Sequence, residues 1–508
     1  MTTSDATKQN TSATLNARAA ARAEARMLIG GRLVDAVDGQ RFDNVSPATG
    51  QVLGSTAAGT VADMDAAISA ARTAFDDTAW STDVALRGRC LLQLQEALEA
   101  EREDIREELV AEAGAPMMTT NIAQLDWPLA DALRYPVELL DSFQWERELV
   151  GGGAGGENNH RVVWKEAIGV VAAIAPWNFP FEIVLNKLGQ ALATGNTVVL
   201  KPDPNTPWTS TRIGRLIAEN TDIPAGVVNV VPTPDKAVAQ FLVADPRVDM
   251  VSFTGSTAVG KSIARSAADS LKRVFLELGG KSATVVLDDA DLDQVIPTML
   301  QVCLHAGQGC GINTRLVVPH ARLDETVAKV TELFSFIAPG DPALPETFLG
   351  PVINARQQDR ILGFIERARA SGADITVGGT APSDLPEELA GGSYVLPTVV
   401  AGVDNSAEIA QNEVFGPVLV ILGYKNDEDA LRIANGTQYG LSGTVWSGST
   451  ERALAFARKV RAGTMTVNGG TYYGPDAPFG GYKSSGLGRQ NGIEGFEQYL
   501  ETKAVGYA

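Results

Sequence analysis

Val170-Val171-Ala172-Ala173-Ile174-Ala175-Pro176-Trp177-Asn178-Phe179-Pro180, followed by a helical pattern over 183–193, Gly195 and then Thr197-Val198-Val199-Leu200, decides the fold class. A short apolar run ended by proline reads as a strand buried on both faces; the longer run closed by glycine reads as a helix. Working outward, the alternation continues with a helix over 213–219, strands over 227–231 and 250–253, a helix over 262–271 and a strand over 274–276. Such alternation implies a parallel sheet covered on both faces, the α/β class. Ligands of such sheets bind beyond the carboxyl ends of the strands, which points to the loops at Pro176, Pro202 and Gly255. Upstream, helical patterns dominate 61–142, for example 64–74 and 87–109, and end at a glycine-rich break over 151–156. A second α/β stretch runs from about 282 to 480, with strands expected at 284–287, 316–318, 418–422 and 464–467. Two α/β units in series suggest a cleft between them.

At 508 residues the chain is long enough for two or three domains. Its 42 Lys and Arg against 61 Asp and Glu give a formal net charge of −19. That charge repels phosphate backbones and anionic membranes and sets nucleic acid aside as a partner. Cys90, Cys303 and Cys310 give no disulfide framework and fit a reducing compartment. The scattered His160, His305 and His320 give no zinc spacing, so no metal is expected. No stretch supplies the roughly 20 apolar residues of a membrane span, and a cytoplasmic location is the expectation. Residues 1–26 lack the apolar region of a secretory signal and read as a flexible or frayed helical tail, with an organelle transit peptide as the lesser alternative.

Four segments carry side chains suited to chemistry. Gly255 to Ser262 follows a strand and opens a helix, so free backbone N–H groups face whatever lies above the turn. Its letters match the phosphate-loop pattern G-x-x-x-x-G-K-[ST], and Val285-Val286-Leu287-Asp288 offers a strand ending in an acid for magnesium. On these residues alone a phosphate site and a plain strand–turn–helix junction are both open. In Gly307-Gln308-Gly309-Cys310-Gly311 the glycines leave the sulfur accessible, whereas Cys90 and Cys303 sit among apolar neighbours as inert core residues do. Glu277, in Leu276-Glu277-Leu278-Gly279-Gly280-Lys281, ends an apolar strand; partial burial would raise its pKa and suit a base that activates water, and a solvated loop acid is the alternative. Asn178 stands on a rigid aromatic loop at a strand's end, where its amide could hold a developing oxyanion or merely serve the turn.

Together these segments, with Glu413 to Pro417 and Pro478 to Gly488, resemble the aldehyde dehydrogenase superfamily over about residues 27–503. The resemblance implies a Rossmann-like cofactor domain (27–146 and 168–279), an α/β catalytic domain (280–480) and a β-arm for oligomerisation (147–167 and 481–508). It further implies a nicotinamide-dependent oxidation of an aldehyde to its acid. Cys310 matches the nucleophile, Asn178 with the Cys310 N–H the oxyanion holder, Glu277 the base and Lys187 an orienting or relay lysine. Gly255 and Ser256 match the pyrophosphate turn, Trp177 the wall of the same cleft, Lys201 the residue reaching the adenosine ribose, and Glu413 and Phe415 the pair at the nicotinamide ribose and ring. Phe179, Ile183, Asn186, Leu304, Tyr473 and Phe479 match the aldehyde funnel. NAD is favoured modestly over NADP, and a homodimer or homotetramer is expected.

Two departures stand out. Pro204 replaces a glutamate that often binds the ribose 2′-hydroxyl, which removes one barrier to NADP. Gln490 replaces a glutamate, and an amide cannot pass a proton. Gly309 and Gly311 leave room beside the sulfur, so a medium, largely apolar aldehyde, aromatic or aliphatic, is the expected substrate. Rival readings are a CoA-acylating aldehyde dehydrogenase, which Glu277 opposes, a P-loop nucleotidase, and a non-catalytic structural or binding member of the fold.

Overall fold

The strands Val170–Ile174, Thr197–Lys201, Val228–Val230 and Met250–Thr254 are buried at every residue. Residues with no wet face can satisfy their backbones only inside a sheet covered on both sides. In the computed structural model, which describes residues 11–150 and 159–508, they belong to an eight-stranded sheet. Its order is Gly486–Leu487, Arg273–Glu277, Met250–Thr254, Val170–Ile174, Thr197–Lys201, Val228–Val230, Met27–Ile29 and Arg32–Val34. The strands from Arg273–Glu277 to Val228–Val230 run parallel. From Val170–Ile174 the chain first fills one side of the sheet, then returns to place Met250–Thr254 on the other. The switch of direction lies between these two strands, and the loops beyond their carboxyl ends, at Pro176 and Gly255, flank the crevice where such sheets bind ligands.

Local chemistry sets the helix ends. Pro180 opens Pro180–Ala193, where its missing N–H costs nothing, and Gly195 at φ +91° closes the turn after it. The helix expected from 262 begins earlier, as Thr257–Ala268, because Ser256 caps it by accepting the Val259 N–H at 3.4 Å. The helical pattern over 87–109 is two helices, Val84–Ala100 and Arg102–Ala113. They part at Glu101, whose backbone leaves the helical region and whose carboxylate pairs with Arg212 and Arg215.

The second sheet has seven strands, with Ser282–Val286, Asn313–Pro319, Val418–Tyr424 and Ser442–Trp446 at its centre and Thr464–Val467 on one edge. Ser282–Val286 and Asn313–Pro319 pair in parallel, Ser282 beside Asn313. A three-stranded arm joins Glu146–Glu148, His160–Ala167 and Leu500–Tyr507; the last two pair over their whole length, Leu500 beside Ala167 and Tyr507 beside His160. The glycine-rich break over 151–156 lies outside the described residues.

Two expectations need correction. Residues 12–22 of the supposed tail form a docked helix, Ser12–Arg22, because Leu15 and Ala19 are buried against Val110, Ala111 and Ala343 and Arg18 pairs with Glu107 at 2.8 Å. Residues 1–10 lie outside the described part. The C-terminal segment from 481 is divided rather than wholly an arm: Gly486–Leu487 extends the first sheet by pairing with Leu276 and Glu277, and only Leu500–Tyr507 joins the arm.

Candidate active site

Glu277 is the last residue of its strand, and Gly279-Gly280 carry the chain at once into Ser282–Val286 of the second sheet. Cys310 lies in the turn just before Asn313–Pro319. Because Ser282 and Asn313 are partners in parallel strands, the residues just upstream of each sit side by side. Register therefore brings acid and thiol together across 33 positions of sequence, close enough for each to shift the other's hold on its proton. Gly279 is small for a reason: a Cβ there would stand 2.3 Å from Glu413 Oε2, and Glu413 Oε1 accepts the Gly280 N–H at 3.0 Å.

Glu277 is only 2% exposed and its Oε1 has no hydrogen-bond partner. Burial pushes its carboxyl up to about 8, against the pull of the Cys310 thiol and of Lys187. Burial likewise pushes Lys187 down to about 7, opposed by Glu277. Lys187 Nζ donates to Ser252 Oγ at 3.1 Å, Ser252 Oγ lies 2.8 Å from the Tyr499 hydroxyl, and the ammonium sits 5.0 Å above the Phe275 ring. The Cys310 thiol is held well above its usual range by burial and then by Glu277, Glu413 and Glu182, so it rests protonated. Cys90 and Cys303 are fully buried, as core cysteines should be.

Asn178 Nδ2 donates to the Gln308 carbonyl at 2.8 Å, two residues before Cys310. That bond uses one amide hydrogen and leaves the other for an oxygen held at the sulfur. Gln124 Nε2 grips the Asn178 carbonyl at 2.7 Å, and Gln308 pins the nucleophile loop by accepting the Ile353 N–H at 2.8 Å and donating to the His305 carbonyl at 3.0 Å. Neither glutamine was signalled by sequence, because each acts through a partner distant along the chain.

Two chambers open on this pair. The first, about 220 Å³, is lined by Pro176, Trp177, Asn178, Gly255, Ser256, Glu413 and Phe415, as expected, and by the unforeseen Gln357 and Arg360. Trp177 and Phe415 meet edge to face at 5.4 Å, with Phe415 at φ +60°, a rare conformation for a bulky residue. Arg360 fixes that loop by donating to the Val414 and Glu413 carbonyls, and Gln357 Nε2 reaches the Phe415 carbonyl at 3.3 Å. Lys201 does not line this chamber; it ends its strand buried, donating to the Pro202 carbonyl at 2.9 Å.

The second chamber, about 360 Å³, is a funnel lined by Phe179, Ile183, Leu304, Tyr473 and Phe479, as expected. Asn186 is not on its wall: one helical turn deeper than Ile183, it is buried in the interior. Sequence reasoning missed Ile122, Trp127, Glu182, His305 and Tyr472. Ile122 lies in an irregular stretch, with φ −131° and ψ −115°, that no periodicity marks. Glu182 stands in the first turn of Pro180–Ala193, where an acid is ordinary and carries no signal of its own. Gln490 also lines the funnel, and its backbone exchanges two 2.7 Å hydrogen bonds with Phe479.

The phosphate-loop reading fails on geometry. Gly260 lies inside the helix, where a Cβ would meet Leu278 at 2.4 Å, and Lys261 points to solvent. Asp288 lies in the turn after Ser282–Val286 of the other sheet and pairs with Arg452 at 2.6 Å. Among the described residues there is no cluster of His, Cys, Asp and Glu able to hold a metal, and no helix long and apolar enough to cross a membrane.

The chain is similar to known proteins over most of its length. The model of the aldehyde dehydrogenase family matches residues 33–505. A 3-succinoylsemialdehyde-pyridine dehydrogenase of a Pseudomonas species is 37% identical over 484 residues, 94% of this chain and 97% of the relative. The geranial dehydrogenase of Castellaniella defragrans is 36% identical over 483 residues, 94% of this chain and 98% of the relative. The crystal structure of an aldehyde dehydrogenase from Mycobacterium tuberculosis complexed with NAD+ superposes with a TM-score of 0.89 at 37% identity, covering 95% of this chain and 97% of that one. With the family model spanning nearly its whole length, this chain belongs to the aldehyde dehydrogenase family.

Proposed function

We propose that this chain oxidises an aldehyde to its carboxylic acid with a nicotinamide dinucleotide, through a thiohemiacetal and then a thioester on Cys310. The observation that supports this most is that Cys310, Glu277 and Thr254 line both chambers, so one sulfur and one carboxylate face two separate cavities. A substrate carbonyl from the funnel and a cofactor ring from the cleft can then meet only at Cys310.

Glu277, beside the thiol, takes its proton as Cys310 sulfur attacks the aldehyde carbon. The resulting oxyanion is held by the free Asn178 N–H and the Cys310 backbone N–H. Trp177 and Phe415 would hold the nicotinamide ring, and Glu413 its ribose, in the cleft; the bound cofactor would supply the hydride acceptor that lets the thiohemiacetal become a thioester. Glu277 then gives up the thiol's proton to solvent, draws a new one from water as the water attacks the thioester, and passes it to the departing Cys310 sulfur, so the acid leaves and the thiol is restored. Lys187, held by Ser252 and Tyr499, orients Glu277 and steadies its charge.

The cleft suits the dinucleotide. Gly255 and Ser256 present the N-terminus of Thr257–Ala268 to a pyrophosphate, Trp177 and Phe415 wall the nicotinamide, and Glu413 is placed for its ribose. Lys201 is assigned to the adenosine ribose. NAD is proposed ahead of NADP, supported by the NAD+ in the structural neighbour. The apolar stretch of funnel at Phe179, Leu304, Ile312 and Phe479 supports a medium-sized substrate with an apolar or aromatic body. Glu277 favours water over CoA as acyl acceptor. A homodimer or homotetramer in the cytoplasm is proposed; the arm supports assembly, since Glu146–Glu148 is exposed at every residue and borders an open sheet edge.

The test is the initial rate of nicotinamide reduction, by ultraviolet absorbance, for the parent and Cys310→Ala on a panel of aldehydes with NAD or NADP. Turnover that vanishes in the variant is expected. Equal turnover in both would remove Cys310 from the reaction.

A further inference from the structure

The funnel contains polar groups that the oxidation does not use. Glu182, in the first turn of Pro180–Ala193, faces it half-buried and accepts a hydrogen bond from the Tyr473 hydroxyl at 3.2 Å. Tyr473 packs against Trp127 with ring centroids 5.3 Å apart. Trp127 is 46% and Tyr473 41% exposed, which places this group toward the mouth, while Glu277 at 2% lies on the floor. On the same wall His305 is 2% exposed and neutral; its ring nitrogens lie near the Asn178 carbonyl but neither closes a hydrogen bond.

Charge on this wall has one sign. Among the described residues no Lys or Arg lines the funnel, whereas Glu182 and Glu277 do, and Asp131 lies close enough to act on Tyr473. An aldehyde ending in a carboxylate would enter against repulsion and find no cation to pair with. A wholly apolar aldehyde would strip water from Glu182 and His305 and return nothing to them. A cation would meet a carboxylate and two aromatic rings lining the same wall, and both kinds of group attract it.

We propose that Glu182, with the rings of Trp127 and Tyr473, is a subsite for a positively charged group at the far end of the substrate. The preferred substrate is then an apolar-bodied aldehyde ending in an ammonium cation. This rests on the proposed aldehyde oxidation at Cys310 and narrows its substrate class. Burial alone pushes the Glu182 carboxyl up to about 7, the mark of an acid lacking a cationic partner.

The test compares kcat/KM for an aldehyde ending in a trimethylammonium group with that for its tert-butyl isostere of equal chain length. Shape is the same and only the charge differs. The parent should prefer the cation by about tenfold or more. In Glu182→Gln, whose amide oxygen can still accept from Tyr473, that ratio should fall toward one. Should Glu182→Gln turn over neither aldehyde, Trp127→Leu at its exposed position serves instead, with the ratio falling about threefold. No preference in the parent, or a ratio that neither variant changes, overturns the subsite and leaves aldehyde oxidation intact. If the parent oxidised neither aldehyde nor any other on the panel, the oxidation and the subsite would both fall.

Discussion

Glu277→Gln separates the two halves of the proposed reaction and also probes the burial of the acid. The amide keeps the shape of the side chain but holds no proton to exchange. Attack by Cys310 can still proceed slowly through the thiolate fraction, whereas hydrolysis of the thioester loses its base. The expected trace is a burst of about one reduced cofactor per subunit and then near-standstill, with steady-state kcat down ~10²–10⁴-fold. Stability should move the other way. In the folded chain the carboxyl is pushed from 4.5 to about 8, which corresponds to at most about 5 kcal/mol. The folded state therefore holds this proton more tightly than the unfolded state, and the parent loses stability as pH rises through that window. Gln carries no such penalty. Urea unfolding of both proteins at about pH 5 and about pH 9 should show the variant gaining several kcal/mol on the parent at the higher pH. Parallel unfolding curves across that range, or a variant with full steady-state turnover, would refute the claim that a buried, proton-exchanging acid drives hydrolysis.

Other consequences can be checked alongside. Asn178→Ala removes the side-chain oxyanion donor and its bond to the Gln308 carbonyl; kcat should fall ~10²–10³-fold with KM nearly constant, read from steady-state rates. Activity of the parent should rise with pH toward a plateau above about 8 as Glu277 loses its proton, and a flat profile from pH 6 to 9 would contradict that assignment. Pro204→Glu should cut kcat/KM for NADP about tenfold while sparing NAD, because a carboxylate beside the 2′-phosphate repels it. Leu15→Asp should lower Tm by several degrees without altering kcat, since Leu15 is 1% exposed in the docked helix and far from both chambers in the contacts it makes.

Strand–helix alternation and turn chemistry are local, so the α/β class and the segments proposed for catalysis were legible without coordinates. Val170–Ile174 reads as a buried strand because five apolar residues end at Ala175-Pro176, and Cys310 stands out from Cys90 and Cys303 because glycines surround it. Glu277 was open between base and loop acid, since nothing local tells a strand-end acid how deeply it will be buried. The docking of Ser12–Arg22 was missed for the same reason: one leucine among five alanines does not say what will cover it, and only contact with Val110 and Ala111 makes Leu15 and Ala19 core. Glu182 was not singled out, because an acid in a helix's first turn is ordinary until a funnel is found in front of it.

By itself the sequence determined the features set by neighbours a few residues apart: strands, helices, caps, and which side chains could carry chemistry. The tertiary structure decided the features that depend on distant partners. Parallel register between Ser282–Val286 and Asn313–Pro319 put Glu277 beside Cys310, and Gln308 reached Asn178 from 130 positions away. The one sign of charge in the funnel comes from Glu182 and Glu277, which are far apart in sequence and share a wall only in the folded chain. Burial, charge pairing and chamber walls are sums over such long-range neighbours, so no local stretch of chain encodes them.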